Sequence, residues 1–217
     1  MLNTKKANII KEAFSAFFTK AEISIGHDLL AAARALLGTE KGFAAILGTG
    51  TNTCIYDGND VAFNIDSAAY ILGDEGSGAV LGKLFVSDLL KNQLTPGLKE
   101  KFLEQFNLTT GDIIDRVYRK PFPNRFLSTF SPFISENLED TTVRTLVMTS
   151  FKSFLKRNVM QYKNYDRLPI HFVGSVAFHF QEILKEAVEV MNMKPGKIIQ
   201  SPMEGLIKYH SVADVIL

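Results

Sequence analysis

Apolar residues at Ile9, Ile10, Ala13, Phe14, Phe17 and Phe18 recur at helical spacing. They predict an amphipathic helix over about 5–18 that needs a surface to pack on. Residues 21–25 read as a short strand. Asp28–Leu37 is rich in Ala and Leu and reads as a helix, with Gly38 as its stop signal. Gly42–Leu47 is continuously apolar, the pattern of a buried strand. Residues 53–56 and 61–65 read as strands joined by Asp57-Gly58-Asn59-Asp60, a strong hairpin signal. From about 76 to 162 the pattern turns helical, with helices predicted at 80–92, 112–118, 123–129 and 143–162. Pro96, Pro121, Pro123 and Pro132 punctuate them. The chain then returns to a strand at 169–173, a helix at 176–191, a strand at 196–200 and a final helix at 203–210. A strand–helix–strand ending implies a parallel pair with a right-handed crossover.

Bulk properties narrow the classes. With 217 residues the chain can bury a sizeable core. Its 24 basic and 23 acidic residues leave a formal charge of +1, so no strong field gathers nucleic acid or an anionic membrane. No apolar stretch reaches the ~20 residues that span a bilayer. The amino end has no apolar core before a small-residue cleavage site, so it is not read as a secretory signal. The single cysteine, Cys54, excludes an internal disulfide and suits a reducing cytoplasm. In its apolar setting it reads as a small core residue. His27, His171, His179 and His210 have no metal-ligand spacing.

Four segments carry candidate chemistry. In Gly48-Thr49-Gly50-Thr51-Asn52-Thr53 a strand breaks into a glycine turn. Glycines there let the backbone approach a ligand, and successive N–H groups form a concave anion site. A plain hairpin turn is the alternative. Gly73-Asp74-Glu75-Gly76-Ser77-Gly78 is an acidic glycine turn that feeds a helix. Val173-Gly174-Ser175-Val176-Ala177 is again strand, turn and helix. Helix N-termini present unpaired N–H groups and a positive dipole end. Asp28 opens a helix and reads either as a functional carboxylate or as an N-cap. Neither a Walker A loop nor a Gly-x-Gly-x-x-Gly dinucleotide signature is present.

In this order the four segments resemble the N-acetylglucosamine kinase branch, which groups with the ATPases that activate benzoyl-CoA reductase type enzymes. The matching pieces are 28–35, 46–52, 70–79 and 172–177. The resemblance implies an α/β chain of the actin-like ATPase (ribonuclease H-like) fold. It divides the chain into a partial N-terminal lobe, 1–75, and a C-terminal lobe, 76–217, with a helical insertion at about 80–162 and an α/β return at 168–217. It implies a kinase that moves the ATP γ-phosphate to a sugar hydroxyl with Mg²⁺. Gly48, Thr49 and Gly50 would grip phosphates, and Gly174, Ser175 and Val176 would lie against adenosine. Asp28 would be the catalytic base, while Thr51, Asn52, Ala69 and Asp74 would contact the sugar.

Two departures bear on activity. No strand–turn–strand with an Asp-Gly-Gly-like phosphate motif precedes Asp28, so the chain as written is expected to be nearly inactive. Where that branch is glycine-rich, this chain has Ser67-Ala68-Ala69-Tyr70, which leaves the identity of the sugar open. The alternatives are an ATPase that regulates a partner enzyme and a non-catalytic sugar- or nucleotide-binding module. A lone cysteine argues against the cluster-bearing regulator. Expected partners are a small sugar and ATP, with neither nucleic acid nor membrane. Phe102, Phe106, Phe122, Phe126, Phe130 and Phe133 read as the core of the helical insertion, with a homodimer surface as the alternative.

Overall fold

The computed structural model describes residues 4–213. The two ends of the expected lobes, 1–3 and 214–217, lie outside that range. Helix α1 (Thr4–Phe17) leads to α2 (Asp28–Leu37), then strands β1 (Gly42–Leu47), β2 (Thr51–Tyr56) and β3 (Val61–Ile65). Helices α3 (Ala69–Leu72), α4 (Gly78–Leu90), α5 (Leu98–Phe106), α6 (Thr110–Tyr118), α7 (Pro123–Ser128), α8 (Ser131–Glu136) and α9 (Thr141–Arg157) follow. A short 3₁₀ turn, Val159–Gln161, leads to β4 (Pro169–Val173), α10 (Ser175–His179), α11 (Gln181–Val190), β5 (Lys194–Ile199) and α12 (Met203–Ala213).

The five strands form one sheet in the order β3-β2-β1-β4-β5. The β1–β2 and β2–β3 pairs are antiparallel, and the β1–β4 and β4–β5 pairs are parallel. The parallel ending expected from the strand–helix–strand pattern is therefore present. The boundary at 75/76 needs correction, because β1 pairs directly with β4 and a single sheet draws strands from both expected lobes.

Both faces of the sheet are covered, which is why β1 reads as an unbroken apolar run. Alternation sends Phe43, Ala45 and Leu47 into the large core under α4, α9 and α11. Ala44, with Cys54, Tyr56 and Val173, meets Leu29, Ala32, Ala33 and Leu36 of α2. Those α2 positions follow the i, i+3, i+4, i+7 stripe. Burial pushes the Cys54 thiol up to about 12, which fits a core residue and not a nucleophile.

Several elements differ from the sequence reading. Residues 21–25 form no strand, since the sheet ends at β3 and β5 and offers them no partner. The helix expected at 176–191 breaks at Phe180, whose ring is buried in the core at φ −105°. The helix expected at 143–162 ends at Arg157. The sequence pattern predicts neither α5 nor α8. Around them Phe102 meets Phe130 and Phe133 edge-on at 4.8 and 5.2 Å, so the aromatics form an insertion core, with Phe122 exposed. On α1, Ile9, Ile10, Phe14 and Phe17 are exposed, and so is Phe18 just beyond it, as the amphipathic pattern foretells.

Tyr162 ties the helical layer to the sheet edge. Its hydroxyl lies 2.8 Å from Thr53 Oγ1, donates to the Thr53 carbonyl at 2.8 Å and accepts from the Ile65 N–H at 2.9 Å. Burial raises that phenol to about 12. Tyr162→Phe keeps the edge-on ring contact with Phe43 but leaves buried polar groups unpaired. We expect a loss of about 2 kcal/mol, read from the urea midpoint at unchanged m-value.

Candidate active site

Three of the four glycine or acidic segments converge at the carboxyl ends of β1 and β4. The turn 48–50 joins β1 to β2 and is held by a hydrogen bond from Gly48 N–H to the Gly50 carbonyl, 3.0 Å. The start of α4 docks on it: Gly78 N–H donates to the Gly48 carbonyl at 2.8 Å, and Ala79 N–H to the Thr49 carbonyl at 3.2 Å. Ser77 caps α4 by accepting from Val80 N–H at 3.1 Å. Gly174, at φ 129°, presses against the Leu47 carbonyl from the β4 side, leaving no room for a Cβ.

The turn presents unused donors. Among the described residues the N–H groups of Thr49 and Gly50 have no acceptor. Beside Gly48 a Cβ would meet nothing within 4 Å, so open space adjoins the turn. Neighbouring free N–H groups next to open space form an anion cradle.

Asp74 borders the cradle. It is 8% exposed, sits at φ 54°, and its Oδ1 accepts from Thr51 N–H at 3.0 Å. A Cβ on Gly50 would lie 3.0 Å from Asp74 Oδ2. Thr51 Oγ1 is buried with no partner. A buried carboxylate in left-handed backbone beside an orphaned hydroxyl is the kind of strained polar pair found at ligand sites.

Thr51 and Asp74 therefore come together, but Asn52 does not join them. Strand alternation puts Asn52 on the α2 face. Its Oδ1 accepts from Thr53 N–H at 3.0 Å and from Asn64 Nδ2 at 2.8 Å. Ala69 is exposed at φ 54° and reaches Asp74 only through the 67–74 loop, where Asp74 N–H donates to the Ser67 carbonyl at 2.9 Å.

Asp28 opens α2 but is not its cap. His27 Nδ1 accepts from Leu30 N–H at 3.2 Å and takes that role. Asp28 is exposed, and its Oδ1 accepts from Leu29 N–H at 2.8 Å. Gly42, at the start of β1, abuts Leu37, at the end of α2. Helix α2 runs back along β1, so its first turn lies at the same end of the sheet as the 48–50 turn.

Ser175 and Val176 line a cavity of about 360 Å³ that also takes in Ser128, Ser131 and His179. Ser128 and Ser131 escaped the sequence reading. A Cβ on Gly78 would lie 2.5 and 2.8 Å from their hydroxyl oxygens, so only glycine lets α4 begin there. Ser131 Oγ is buried without a partner. Nothing local marks these serines, because the fold brings them in from the helical insertion. Glu75 pairs with Arg157 and accepts from Asn158 Nδ2 at 3.3 Å, pinning the acidic turn to the end of α9.

An α/β protein with a glycine cradle at the strand ends is the class that fold and site define. Over 96% of its length the chain is similar to a crystal structure from Porphyromonas gingivalis, of a protein provisionally named an N-acetylglucosamine kinase. The two share 51% identity at a TM-score of 0.93, and the match covers 74% of that chain. A second provisionally named N-acetylglucosamine kinase, from Chromobacterium violaceum, matches at 17% identity and TM-score 0.66 over 92% of this chain and 72% of its own, which shows the fold alone. No protein-family model matches the chain, and no curated protein matches it. The chain belongs to the N-acetylglucosamine kinase-like family.

Proposed function

We propose that this protein is an ATP-dependent sugar kinase of the actin-like, ribonuclease H-like fold, acting on an amino sugar of the N-acetylglucosamine type. The observation that carries this reading is the pair of N–H groups at Thr49 and Gly50 that have no acceptor among the described residues, in a turn adjoined by open space at Gly48 and flanked by Gly174 and Asp74. Phosphate oxygens are the natural acceptors for such a pair. The nucleoside extends past Gly174, Ser175 and Val176 into the serine-lined cavity. Thr51 and Asp74 hold the sugar, whose hydroxyls would otherwise be buried unpaired.

In the reaction Asp28 accepts the proton of the attacking hydroxyl. The sugar oxygen bonds to the γ-phosphorus, the bond to the bridging oxygen breaks, and ADP leaves. Among the described residues no group of three acidic, His or Cys side chains forms a metal cage. Mg²⁺, when bound with the nucleotide, would neutralise phosphate charge.

The test is ADP formation by the protein against a panel of amino sugars. Stimulation by an amino sugar supports the proposal. ATP binding with turnover indifferent to every sugar, but changed by a protein partner, would replace it with a regulatory ATPase.

A further inference from the structure

The opposite end of the sheet holds a larger cavity, of about 620 Å³, which the kinase reading does not use. The second half of α2, the 38–42 connection, the start of β4, the middle of β5 and α12 enclose it. Arg34, Lys41, His171, Lys197, Lys208 and Tyr209 are among its walls. Glu40 is the one carboxylate there, so Arg34 and the three lysines leave a formal excess of three positive charges. None of these four cations makes a salt bridge among the described residues.

Their existing contacts leave donors unspent. Arg34 Nη2 donates to the Asn59 carbonyl at 3.3 Å, and the guanidinium lies 5.0 Å from the Tyr209 ring centre, but its Nε is buried with no acceptor. Lys197 Nζ donates to the Leu36 carbonyl at 3.3 Å. His171 Nδ1 accepts from Lys197 N–H at 3.1 Å, which places the imidazole proton on Nε2 as a further donor. Burial and the Lys197 ammonium hold this imidazole below its ordinary range.

We propose that this cavity binds a phosphomonoester, the phosphate held among Arg34, Lys197, Lys208 and His171, and the body of the ligand lying on Ala35, Leu37 and Leu168. A multiply charged oxyanion offsets an excess of three charges where a single carboxylate would not. The volume suits a sugar phosphate or a mononucleotide. The site lies at the amino ends of β1 and β4, away from the 48–50 turn at their carboxyl ends, so it stands or falls apart from the kinase reading.

The experiment titrates the 217-residue chain with inorganic pyrophosphate, glucose 6-phosphate and AMP, following backbone amide shifts. Shifts centred on Lys41, His171, Lys197 and Tyr209 are expected. The double variant Lys197→Gln/Lys208→Gln should bind at least tenfold more weakly, while Lys83→Gln, outside the cavity, should not change affinity. Tighter binding of glucose 6-phosphate points to a sugar phosphate, and tighter binding of AMP to a nucleotide. Shifts confined to 48–51, or affinity untouched by the double variant, overturn the proposal. If that variant does not fold, the shifts in the unaltered chain decide alone.

Discussion

Asp28→Asn is expected to lower sugar-dependent ADP formation by about two to four orders of magnitude, the scale of a removed general base. The substitution isolates proton transfer from structure. Asparagine retains an oxygen that can accept from Leu29 N–H, the contact Asp28 Oδ1 makes at 2.8 Å. The cap belongs to His27, so α2 does not lose its terminal hydrogen bond. The melting midpoint and the affinity for ATP should therefore stay near those of the unaltered protein. A fall in kcat with KM for the sugar held within a few-fold is the expected split. Near-normal turnover would remove Asp28 from the mechanism and leave the glycine cradle as a nucleotide site without its base.

How much of this was legible depended on how local each signal was. The Gly48, Gly73 and Gly174 turns could be seen because each ends an apolar run or opens a helix, a pattern contained within a few residues. Helix α2 was legible to its end, since its apolar stripe and Gly38 are one continuous message. The partition into lobes was not, because β1 pairs with β4 across more than 120 intervening residues, roughly the length of a domain on its own. A shorter separation hides Ser128 and Ser131, which lie 50 and 53 positions after Gly78 and matter only because Gly78 lets α4 approach them. The resemblance placed Asn52 beside Thr51 on the sugar, yet neighbours in a strand point to opposite faces. Ala68 and Ala69 stand at φ 58° and 54°, where glycine would be unstrained, so that loop keeps its shape against the preference of its own residues.

Gly174→Ala should be a strongly damaging single methyl in the chain's α/β half. The backbone there has φ 129°, outside the range L-residues adopt. The added carbon would overlap the Leu47 carbonyl oxygen and press on Leu47 C at 2.8 Å. Neither neighbour can yield cheaply. Leu47 is fully buried and closes the β1 ladder against Thr51, while Gly174 N–H is tied to the Ile199 carbonyl at 3.0 Å. Relief requires β4 to move off β1 or the 48–50 turn to shift, so strain and site geometry are lost together. The expected cost is about 3 kcal/mol or more, a drop of about 6–12 °C in melting midpoint for a chain of this size. ATP affinity should fall with it, because the Thr49 and Gly50 N–H groups ride on the displaced turn. Ser175→Ala is the control: its side chain is exposed, so stability should hold while any adenosine contact is lost. A Gly174→Ala protein that melts normally and binds ATP normally would mean that the turn does not need the close approach of β4 to β1.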